Sequence, residues 1–237
     1  MTKPAYFLFG DSHSIPLARG LEAHGIPFVH LTTPNPSWHA GLVVEDHFTG
    51  IKLLNPSEAR RVEKAQDALG VTDLTDPKIP MICSFAMTTG MLSPIFWDFP
   101  HEPAWETAKP GDLSEALRVR RFSSAFMRDY VDATHGYKTR LAQRFSRNTD
   151  VIMVVQPRNK HWKRRYVLEK LIWQDMLDLG ITVYDPSLNI GDSETYAIPA
   201  ELMDGVGVHG NNTFGKRAVE DMIEMGLLKF DTEMSVS

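Results

Sequence analysis

Cysteine is almost absent from this chain: 237 residues include one, Cys83. No intrachain disulfide can form, and a cytoplasmic location is the expectation. Long apolar runs are missing too, so no segment reads as a membrane span and no membrane partner is expected. Residues 1–10 lack a full apolar region and a small-residue cleavage site. They read as a first strand rather than a signal peptide. No repeat or low-complexity segment is present. Acidic residues are scarce only between Leu117 and Lys170, where 14 Lys/Arg face 4 Asp/Glu, although the whole chain carries −5. No nucleic-acid motif accompanies that basic stretch. It reads as solvated helix surface, and nucleic acid is not an expected partner.

What is there suits one sizeable core, so a single domain over 1–237 is expected. Apolar runs at 5–9, 26–31, 80–87, 151–156 and 181–184 read as strands, with a strand or hairpin at 47–54. Helices are expected at 16–24, 57–69, 161–179 and 213–228, with a long helical region at 113–146 broken at Gly136. In the helix after 161, Leu168, Ile172 and Met176 line one face. Strands alternate with helices, and the apolar strands are continuous. That pattern predicts a three-layer α/β/α sandwich around a mostly parallel sheet, of flavodoxin-like type. Residues 88–112 form a long connection rich in Pro and Trp, expected to be an insertion.

Ligands in such sheets bind beyond the carboxyl ends of the strands. There the first strand runs into Gly10-Asp11-Ser12-His13. The glycine permits a tight turn, and the helix that follows offers free N–H groups. Ser12 can be a nucleophile whose own N–H faces a developing oxyanion. Equally, it can simply cap the helix. Near the other end, Asp204-Gly-Val-Gly-Val-His209-Gly-Asn-Asn-Thr-Phe-Gly puts a histidine in a loop before the last helix. A histidine there can serve a serine as general base, with a carboxylate fixing its tautomer.

The GDSH block after the first strand, paired with DGVGVHGNNTFG before the last helix, resembles the SGNH/GDSL hydrolase superfamily. The resemblance implies that Ser12 is the nucleophile and His209 the base. The family places its acid three residues before the histidine, where this chain has Val206. Asp204 lies five before. Either a bulge lets Asp204 reach the imidazole, or a Ser–His dyad works alone. The family's oxyanion donors map onto the Ser12 N–H, Gly41 and Thr88. The implied activity is a cofactor-free serine ester hydrolase of esterase, lipase or carbohydrate deacetylase type. Its substrate would be a small-molecule or glycan ester, and acyl transfer to a second alcohol would use the same residues.

Two other readings stay open. One is a non-catalytic ligand-binding domain of the same fold. The other is a metal-dependent phosphoesterase, because Asp11-x-His13 after a first strand resembles the opening ligands of calcineurin-like enzymes. That family's GDxxD, GNH[DE] and G-H-x-H blocks are missing here. Four further features are candidates. Arg158 follows the fourth strand and can grip an anionic substrate group or form a structural ion pair. Trp97, with Phe96 and Trp105, can wall a substrate pocket or form the insertion's own core. His39 and His47 flank Asp46, but their spacing is not a recurrent ligand spacing, and no metal is expected. Cys83 should be a buried, inert thiol.

Overall fold

The computed structural model describes residues 3–34, 37–38, 43–87, 124–159 and 166–229. Five strands form one parallel sheet: β1 (Tyr6–Gly10), β2 (Phe28–Thr32), β5 (Met81–Cys83), β6 (Val151–Val154) and β7 (Thr182–Tyr184). Their spatial order is β2-β1-β5-β6-β7. A separate antiparallel hairpin joins β3 (Val43–Asp46) to β4 (Gly50–Leu53). The chain adds β2 on one side of β1 and then returns to add β5 on the other. The exit from β1 is therefore a topological switch point, where the sheet leaves a crevice.

Helices cover both faces. Alternation along β1 explains how: Phe7 and Phe9 join one core cluster, Tyr6 and Leu8 the other. The first cluster is closed by α2 (Pro56–Leu69), α3 (Ser124–Ser146) and α4 (Tyr166–Asp178). Leu168, Ile172 and Met176 of α4 are buried in it, as their spacing predicts. The second is closed by α1 (Ser14–Ala23) and α6 (Asn212–Glu224), through Leu17, Leu21, Phe214, Ala218 and Met222. A short helix, α5 (Pro186–Asn189), follows β7. Cys83 is fully buried, and burial pushes its thiol pKa up.

Two expectations about elements need correction. The run at 80–87 is not one strand: β5 stops at Cys83, and Phe85–Met87 turns as a 3₁₀ helix. All three turn residues are buried, so apolarity there reports the core rather than extended backbone. Nor does Gly136 break a helix. α3 continues through it, because His135, Lys138, Ala142 and Phe145 around it are packed against the sheet side. Tertiary burial outweighs the roughly 1 kcal/mol a mid-helix glycine costs. The insertion expected at 88–112 lies outside the described residues.

Candidate active site

The turn that carries Ser12 is built around a glycine that cannot be anything larger. A Cβ on Gly10 would fall on the Ser84 hydroxyl and lie 2.9 Å from Ser14 Cβ. The turn then closes on itself. Asp11 is fully buried, and its Oδ1 accepts the His13 N–H at 3.0 Å and the Ser84 hydroxyl at 3.2 Å. Its carbonyl accepts the Ser14 N–H at 3.0 Å and the Ser14 hydroxyl at 2.7 Å. Asp11 is thus a buried turn-holder.

Ser12 does not cap α1. The N-cap is His13, with no side-chain capping bond. The Ser12 hydroxyl instead lies 2.8 Å from His209 Nε2, across 197 residues of sequence. His209 Nδ1 lies 3.0 Å from Asp204 Oδ2. A carboxylate can only accept, so Nδ1 carries the proton and Nε2 is left to accept from Ser12. The three groups form one directed line, with the His209 and Asp204 side chains each about one-third exposed to solvent (34% and 32%).

The five-residue spacing works because 204–209 is a hairpin loop. Met203 bridges Gly210, the Asp204 N–H donates to the His209 carbonyl at 2.7 Å, and the Gly207 N–H to the Asp204 carbonyl at 2.9 Å. Gly207 sits at φ +72°, a conformation that favours glycine. First and last residues of such a loop face one another. Val206, in the position the family pattern gives to the acid, is 83% exposed. Burial opposes ionisation of Asp204. The Val208 N–H, the His209 ring and the His209 backbone outweigh it and hold the carboxyl at about 2.

No family model and no curated protein matches this sequence. The fold is similar to that of the psychrotrophic esterase EstA from Pseudoalteromonas sp., in a crystal structure inhibited by monoethylphosphonate. Identity is 13% and the TM-score 0.45, over 94% of this chain and 98% of that one.

The other candidates separate. Gly41, Thr88, Trp97 and His39 lie outside the described residues, as do Phe96 and Trp105. Arg158 is not free to grip a substrate: it is buried, donates to Glu169 at 2.6 Å and lies 2.6 Å from Asp185 Oδ2. The structural ion pair is what the fold uses. Asp46 caps its own hairpin turn through the Phe48 and Thr49 N–H groups. Among the described residues, no three His, Cys, Asp or Glu side chains converge as a metal site, and no helix is long and apolar enough to cross a membrane.

Three supports of the site carry no recognisable motif. The His13 ring packs against that of His209, with centroids 4.7 Å apart. Gly20 of α1 and Gly215 of α6 let the two helices touch backbone to backbone. His30 on β2 holds Ser14: its Nε2 lies 2.9 Å from the Ser14 hydroxyl and 2.6 Å from that of Thr32. Burial pushes His30 down to about 4, with Glu22 opposing and Arg19 assisting. Between pH 6.5 and 4 the unfolded chain therefore binds a proton at this position that the folded chain does not. Stability should fall as pH drops through that window, by on the order of 3 kcal/mol in full. His30→Gln keeps a hydrogen-bonding side chain without the titration, so its urea midpoint should depend less on pH there. Equal slopes for the two proteins would contradict this role.

Proposed function

We propose that the protein is a serine-dependent ester hydrolase, with Ser12 as nucleophile, His209 as general base and Asp204 as the acid that orients it. The observation that carries this reading is the unbroken line Asp204–His209–Ser12, at 3.0 and 2.8 Å, opening at the switch point of the sheet.

Ser12 Oγ attacks the ester carbonyl carbon as His209 Nε2 takes the hydroxyl proton. Asp204 holds the imidazole in the required tautomer and stabilises the imidazolium. The Ser12 N–H has no acceptor among the described residues, and it stabilises the oxyanion. His209 then returns its proton to the leaving alcohol. Water, deprotonated by His209, hydrolyses the acyl-enzyme and regenerates Ser12. A second alcohol in place of water would make the same steps an acyl transfer. The substrate is a small-molecule or glycan ester.

A fluorophosphonate probe tests this directly, because it reacts with a serine only when a neighbouring base activates it. The intact protein should be labelled, and the modified peptide should map to Ser12. A folded protein that stays unlabelled would sink the hydrolase reading and put the ligand-binding domain of the same fold in its place.

A further inference from the structure

Behind the nucleophile turn lies a charge that the proposed chemistry does not use. Lys138, on α3, is fully buried. Its amine donates to the Phe85 carbonyl at 3.0 Å and lies 5.4 Å from the centre of the Trp38 ring. Trp38 is in turn stacked on Phe85, with ring centroids 5.0 Å apart and planes 7° from parallel. One helical turn earlier, His135 Nε2 donates to the next carbonyl, that of Ala86, at 2.7 Å. Two donors from α3 thus hold consecutive carbonyls of the 3₁₀ turn that leaves β5. That turn follows Ser84, whose hydroxyl reaches Asp11, the residue before the nucleophile.

A buried ammonium is costly, and a lone buried carboxylate equally so. Lys138 and Asp11 are both fully buried and are joined through the Phe85 carbonyl and the Ser84 hydroxyl rather than by a direct ion pair. Asp11 is fully buried, and its Oδ2 accepts no hydrogen bond among the described residues. Burial pushes the Lys138 amine down to about 8, and Asp11 is the group that opposes this. One carbonyl bond and one ring face are modest recompense for a charge that could be methionine.

We propose that Lys138 is a positioning residue for Ser12: it is the counter-charge of the buried Asp11 carboxylate and the strut that holds the β5 exit turn against the nucleophile turn. The inference rests on the reading of Ser12 as nucleophile. Without the ammonium, the buried Asp11 carboxylate is answered only by its two hydrogen bonds at Oδ1. Its grip on the His13 N–H and the Ser84 hydroxyl changes, and Ser12 loses its alignment with His209.

The test is the rate of fluorophosphonate labelling at Ser12, resolved into binding and bond-forming constants. Lys138→Gln keeps a hydrogen-bond donor and removes the charge. It should slow the bond-forming constant about tenfold or more and leave reagent binding unchanged. Adding Asp11→Asn removes the charge that needs an answer. The double variant should label within about threefold of Asp11→Asn alone, a coupling that simple loss of packing would not produce. If Lys138→Gln does not fold, the double variant, with no unpaired buried charge, carries the test. Wild-type labelling in Lys138→Gln, or a double variant tenfold slower than Asp11→Asn, overturns the proposal. An unlabelled wild type overturns the reading of Ser12 itself, and the two failures are thereby distinct.

Discussion

Ester turnover is expected to fall by on the order of 10⁴ to 10⁶ in either Ser12→Ala or His209→Ala, and the double variant should be no slower than the worse single one. The reason is that the hydroxyl and the imidazole act as one unit. Without Nε2 the Ser12 hydroxyl keeps its ordinary pKa and is a poor nucleophile. Without the hydroxyl, His209 has nothing to deprotonate but water. Both side chains are partly exposed at the end of the sheet, so neither truncation opens a core cavity, and both variants should keep the melting temperature of the wild type within a few degrees. Steady-state hydrolysis of an activated ester, read beside thermal unfolding, checks both statements. If the two losses multiplied in the double variant, the serine and histidine would be working separately, and the shared proton transfer would be wrong.

Gly215→Ala should slow labelling of Ser12 about 100-fold although residue 215 touches neither Ser12 nor substrate. A Cβ on Gly215 would fall on the Pro16 carbonyl of α1, and one on Gly20 would fall on the Gly215 carbonyl and lie 2.7 Å from Val219 Cγ2. The two carbonyls are backbone, which cannot swing aside. The helices must part. α1 begins two residues after Ser12, and α6 begins three after His209. Asn211 ties the His209 loop to α6, since its side chain accepts the Phe214 N–H at 3.1 Å and donates to the Glu201 carbonyl at 2.7 Å. Parting the helices therefore draws His209 away from Ser12. The same overpacking should cost about 2 kcal/mol of stability. A Gly215→Ala protein that loses stability but labels at the wild-type rate would show that the pair is aligned by the 204–209 loop alone.

Much of this was legible from local pattern. The continuous apolar runs at 5–9, 151–156 and 181–184 announce buried parallel strands, and the sheet contains each of them. The spacing of Leu168, Ile172 and Met176 names the buried face of α4. Lys138 is a subtler case. It falls on the stripe Val131, His135, Lys138, Ala142 and Phe145, all buried on one face of α3. A lysine at helical register with apolar neighbours is a signal that could have flagged it. The Phe85–Met87 turn and the unbroken α3 went the other way, because packing overrode local propensity at both.

By itself the sequence determined the fold class and the two ends of the candidate site, since periodicity and turn residues act over a few positions and are written locally. It named Ser12 and His209 through short blocks beside a strand and a helix. Whether Asp204 could reach His209 was left open, because two residues of spacing decide nothing until the loop's own hydrogen bonds close it into a hairpin. Only the tertiary structure decided that Asp204 faces His209, that Arg158 is tied to Glu169 and Asp185, and that Lys138 holds the Phe85 carbonyl. Such relations join residues 53 positions apart at Phe85 and Lys138, and up to 197 apart at Ser12 and His209. Such distances are set by helix packing at Gly20 and Gly215 and by the order of strands, which no local pattern encodes.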